Sequence, residues 1–121
     1  MPNPDFAGRR VLVVGDDYLL GADIADEIMS HNGIVVGPAM TLDAGAEMLR
    51  AEKPDVCILN IRVGQEMIYG LADEVRLANI PFVFASGERR DSIPDRFSDI
   101  PLHPKPINMI KVAAALIGYQ D

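Results

Sequence analysis

Residues 53–61 read KPDVCILNI, and the fold turns on how this stretch is read. Lys53-Pro54-Asp55 is punctuation that ends any helix before it. Val56–Leu59 is a short, unbroken apolar run, which predicts a strand buried on both faces, as in a parallel sheet. Asn60 stands where that strand runs out. In α/β proteins the chemistry sits beyond such strand ends, so an amide at this point needs an explanation.

Upstream, Thr41 can cap a helix whose buried stripe is Leu42, Gly45, Ala46 and Leu49. IVVG (34–37) predicts a strand, with Pro38 blocking further ladder bonding. Leu20, Ile24 and Ile28 recur at helical spacing, and Gly33 is the expected left-handed cap after that helix. VLVV (11–14) predicts the first strand, and residues 1–8, with Pro2, Pro4 and Gly8, an N-terminal arm ahead of a domain over 9–121.

Downstream, Ile68, Leu71, Ala72 and Val75 mark a helix weakened by Gly70. PFVFA (81–85) is a fourth strand. In SGERRDSIPDRFSDI (86–100) the period fails around Pro94, which predicts a mobile loop with at most a short helical turn. PLHPKP (101–106) predicts an edge strand. Ile107, Ile110, Ala114 and Ile117 give a last helix, stopped by Gly118. Alternation of this kind predicts a doubly wound α/β fold with a parallel sheet and helices on both faces.

Composition narrows the function. The chain has 121 residues, one domain's worth, is 49% hydrophobic and carries a net charge of −7. Nucleic-acid surfaces need clustered Lys and Arg, so that partner is not expected. No apolar run approaches the roughly 20 residues of a membrane helix, and the N-terminus lacks an apolar signal core. The expectation is a cytoplasmic protein without a membrane partner. Cys57 is read as a small buried hydrophobe, and His31 and His103 as a surface residue and an edge-strand residue without metal-ligand spacing.

The strand ends collect Gly15, Asp16 and Asp17 after the first strand, Asn60 after the third, Ser86 after the fourth and Lys105 after the fifth. VLVVGDDYLLGADI, KPDVCILNI, PFVFASG and HPKPI, in that order, resemble the landmarks of the response regulator receiver domain of two-component signalling, over roughly residues 9–118. FVFASG also resembles a subgroup of mostly single-domain receivers with a Phe-Ala-Thr-Gly motif and a short or mobile fourth helix. The resemblance implies a flavodoxin-like five-stranded sheet of order 2-1-3-4-5.

It also implies roles. Position 60 would be the phosphoacceptor aspartate, and Asn60 stands there. Two acidic residues and a backbone carbonyl would hold magnesium; here they are Gly15, Asp16 and the carbonyl of Arg62, with Asp17 as possible help. Ser86 and Lys105 match the residues that contact the phosphoryl group, and Pro106 follows the lysine. Leu102 replaces the usual switch aromatic; with Met109 it marks the expected partner face, although core is the plainer reading of Met109.

An amide nitrogen is a poor nucleophile because its lone pair is delocalised into the carbonyl. Magnesium favours carboxylates, and two have gone, so weak binding at best is expected. Lys105 is expected to be buried and paired with Asp16. Alternatively, a one-residue shift would bring Asp16 and Asp17 into both acidic positions, or Gly15 would merely serve a tight turn.

The reading that follows is a stand-alone pseudo-receiver, with no output domain after GYQD, that contacts a histidine kinase or another two-component protein without stable phosphorylation. The alternative is an ordinary phosphoacceptor receiver whose aspartate is altered to Asn60. A flavodoxin-like electron carrier would need a phosphate loop where GDDYLLG places two carboxylates. No nucleophile–base pair is visible, so an enzyme is not expected.

Overall fold

In the computed structural model, residues 5–16, 18–86, 92–105 and 107–117 are described, residues 18–22 by their backbone alone. The elements follow the sequence pattern. They are β1 Arg10–Val14, α1 Tyr18–Ser30, β2 Ile34–Ala39, α2 Leu42–Glu52, β3 Val56–Asn60, β4 Arg62–Val63, β5 Glu66–Met67, α3 Tyr69–Leu77, β6 Phe82–Ser86, a 3-10 turn Asp95–Phe97, β7 Leu102–Pro104 and α4 Met109–Leu116. Five strands form one sheet in the order β2-β1-β3-β6-β7, and every pairing in it is parallel. With the small β4–β5 hairpin set aside, this is the flavodoxin-like order 2-1-3-4-5.

Strand alternation divides the core in two. Leu12, Val14, Cys57, Leu59, Phe82 and Phe84 face α2, α3 and the 93–97 region. Val11, Val13, Val56, Ile58, Val83 and Ala85 face α1 and α4. Period-2 side chains with apolar residues on both faces are what a doubly covered parallel sheet requires. Thr41 caps α2 as expected, its hydroxyl accepting from the Ala44 amide at 3.0 Å. Gly45 lets α2 approach the sheet closely, since a Cβ there would lie 3.0 Å from Leu71 and 3.1 Å from Val14.

Several expectations need correction. β2 does not stop at Pro38: its ladder slips, pairing Leu12 with Val36 and then Val14 with Ala39, and so passes the residue that has no donor. Asn32, at φ 63°, supplies the left-handed turn after α1, and no positive φ is found at Gly33. Gly33 is small for another reason, because a Cβ would stand 2.5 Å from Ile28.

From Asp5 onward the expected arm is packed on the domain. Phe6 is fully buried, and its amide donates to the His31 carbonyl at 2.9 Å.

In α4 the buried stripe is Met109, Val112 and Ala113, and Ile110 is exposed. Asn108 caps this helix by accepting from the Lys111 amide, so the buried face begins at Met109. Met109 is therefore core and not partner surface. Gly118 and the side chain of Leu20 lie outside the described residues.

The stretch expected to be a mobile loop is anchored over its described part, 92–100. Ile93 and Phe97 are buried, and the Phe97 ring stacks on Tyr69 at 5.6 Å and meets Phe84 edge-on at 5.4 Å. Arg96 bonds Asp73 through two nitrogens at 3.0 and 3.1 Å, and Arg76 bonds Asp99 at 3.0 Å. Within this described part, Asp95–Phe97 form a 3-10 turn.

Candidate functional site

The parallel register gathers the strand ends. Val14 lies opposite Leu59, so Gly15 comes beside Asn60; a Cβ on Gly15 would sit 3.3 Å from the Asn60 Cβ. Asn60 in turn pairs with Ala85, and Ser86 with Pro104, the residue before Lys105. Gly15, Asn60, Ser86 and Lys105 thus share one end of the sheet, as their order along the chain predicts. Ser86 is 5% exposed, a buried polar group at the end of an apolar strand.

Gly15 has no positive φ, so the backbone turn does not demand glycine here. What it leaves is space next to Asn60. The Asn60 amide Nδ2 donates to the Arg62 carbonyl at 2.7 Å. The Asp16 carboxylate accepts from the Gly64 amide, also at 2.7 Å.

Both bonds lead into the β4–β5 hairpin, which the sequence pattern missed. Arg62 pairs with Met67 and Val63 with Glu66, and Gly64 turns the chain at φ 63°. The Ile68 amide closes the base on the Ile61 carbonyl at 2.8 Å. The signal was a glycine inside VGQE, at the first central position of a two-residue turn.

Lys105 corrects the expected ion pair. It is exposed, and among the described residues no salt bridge joins it to Asp16, whose carboxylate is engaged by the hairpin. It follows an edge strand whose last residue is itself exposed, so no burial forces a partner on it. Asp17 and Pro106 lie outside the described residues. Leu102 is half-buried and packs on the α2–α3 side of the core.

A magnesium site needs several hard oxygens turned toward one point. Among the described residues, no three His, Cys, Asp or Glu side chains gather to hold a metal. The Arg62 carbonyl and the Asp16 carboxylate already accept N–H donors. Among the described residues, this donor set fits the ion poorly.

Elsewhere, burial pushes the Cys57 thiol up to about 12, so it behaves as a small apolar group. Burial, and then Lys111, hold the His103 imidazole below its ordinary value. No described helix is long and apolar enough to cross a membrane.

No protein-family model matches the chain, and no curated protein matches it. Solved structures do. The receiver domain of HemR from Leptospira biflexa shares the fold, with a TM-score of 0.76 at 19% identity over 93% of this chain and 98% of that one. SdrG from Sphingomonas melonis Fr1 is 31% identical over 93% of this chain and 96% of that one, with a TM-score of 0.79.

The chain belongs to the response regulator receiver domain family.

This receiver also resembles the response regulator PhyR from Brucella abortus, at 25% identity and a TM-score of 0.74. The match covers 93% of the receiver and 49% of PhyR, so the chain spans about half of that protein's length. Against the BeF3-activated conformation of SdrG the receiver's TM-score is 0.67.

Proposed function

We propose that this receiver signals by protein–protein contact with a histidine kinase or another two-component protein in the cytoplasm, with phosphotransfer at position 60 impaired or absent. The observation that carries the reading is the Asn60 side chain. It ends β3, and its amide donates to the Arg62 carbonyl at 2.7 Å. An amide nitrogen in that bond has no free lone pair with which to attack phosphorus, and magnesium is expected to bind weakly at best. Gly15 beside it removes a second carboxylate, which disfavours the alternative of a working receiver altered only at its acceptor. Ser86 and Lys105 are the surviving members of the pattern, and Asp16 the surviving acid.

The partner face in this reading is α4, β7 and the segment after β6. Leu102 stays on it half-buried, and Ile110, 38% exposed, takes the place first given to Met109.

The test is intact mass after incubation with magnesium and a small phosphodonor, run on the natural chain and on Asn60→Asp. The natural chain is expected to gain nothing. A phosphoryl group on it would overturn the proposal. A gain on the variant alone would assign the silence to the amide; no gain on either would extend it to Gly15.

A further inference from the structure

The two polar bonds at the strand ends do more than record a lost reaction. We infer that Asn60 and Asp16 form an ion-independent latch that holds residues 61–68 in one arrangement. The inference rests on the reading of position 60 as a non-acceptor.

A backbone carbonyl at the mouth of a carboxylate site needs a positive partner. In Asn60 that partner is built in, an N–H donor 2.7 Å from the Arg62 oxygen. A carboxylate at position 60 would place anionic oxygen against the same carbonyl, and the two would repel unless a cation or a water came between them. The Asp16 carboxylate meets a second donor, the Gly64 amide, at the turn of the hairpin.

At the turn, a Cβ built on Gly64 would find nothing within 4 Å among the described residues. Lower down, Ile61, Val63 and Ile68 are buried and fix the base. The base is therefore held by apolar burial and the tip by Asp16.

Gly15 belongs to the same device. Any side chain there would press on the Asn60 Cβ at 3.3 Å, and glycine leaves that side of Asn60 uncrowded. Asn60 and Asp16 are positioning residues here: they act on the hairpin, not on a reacting atom.

The experiment is amide hydrogen exchange of the whole chain, resolved by residue, with and without millimolar magnesium chloride. In the natural chain the hairpin amides, Gly64 above all, are expected to exchange at the same rate in both conditions. In Asn60→Asp, exchange without magnesium should rise by about ten-fold, the weight of one lost hydrogen bond, and magnesium should slow it again. In Asp16→Ala the rise should be similar and magnesium should not reverse it. The amides of β3 report that each variant is folded.

Hairpin amides of the natural chain that slow on adding magnesium would overturn the latch. So would an Asp16→Ala hairpin that exchanges at the natural rate. Neither outcome depends on phosphoryl gain, so failure here and failure of the proposed function are separately visible.

Discussion

Two irregular segments flank the same sheet and are held by opposite means. The β4–β5 hairpin is tied at its tip by an exposed carboxylate and at its start by an amide. Residues 92–100 are held by a ring, Phe97, fully buried among Tyr69, Phe82 and Phe84. Arg96 lies over that ring at 4.6 Å and Arg76 at 5.4 Å, while each also bonds an aspartate across the gap between the segment and α3. Polar bonds at a solvent margin fix direction and add little net energy. A buried aromatic ring adds several kcal/mol and fixes little about its polar surroundings. The first segment is thus set for position, the second for stability.

The strongest way to break this comparison is Phe97→Ala. Emptying the aromatic cluster should cost about 3–5 kcal/mol, read as a lower denaturation midpoint in urea. A loss near zero would mean that the segment rides on the sheet without supporting it. Next is Arg96→Ala, which removes an exposed ion pair and a cation–ring contact. It should cost about 1 kcal/mol, and the difference should shrink in molar salt, since exposed pairs are screened. Asp16→Ala should cost about 1 kcal/mol of global stability, the weight of the one hydrogen bond whose loss opens the hairpin locally. If Asp16→Ala costs as much as Phe97→Ala, the contrast between the segments fails.

The smallest effect concerns His103 on the edge strand β7. Its Nε2 is buried without a hydrogen-bond partner, and burial, then Lys111, lower its affinity for a proton. The unfolded chain therefore binds the proton more readily. The His103 contribution is fully present above the ordinary value of 6.5 and is lost as pH falls through the lower folded value. His103→Gln should flatten the stability profile over that interval. An unchanged profile would show that the imidazole does not sense its site.

Much of the fold was legible because the strands are unbroken apolar runs and the helices keep their period. The candidate site was legible in its order along the chain. What escaped notice has physical causes. The hairpin strands are two residues each, too short for any period, and only Gly64 marked the turn. Ile93, Phe97 and Ile100 recur at helical spacing, but Pro94 among them hid a signal that would have anchored the segment. The Asp16–Lys105 pair was expected from the receiver resemblance, in which the lysine faces an acidic cluster, and that pattern does not say which backbone donor lies nearer to Asp16. In α4 the phase follows the Asn108 cap, so Met109 turns inward, which is its plainer reading, and leaves the partner face to which it was also given.

The outermost strands are β2 and β7, and each contains a proline, Pro38 in one and Pro104 in the other. A neighbouring molecule that tried to extend the sheet would meet an interrupted row of donors on either side, and on the β7 side only three residues of ladder. The chain exposes Ile34 on β2, yet that rim is a poor template for fibril growth. Concentrated solutions should stay clear, and replacing Pro38 or Pro104 with a β-branched residue should make the protein more prone to aggregate.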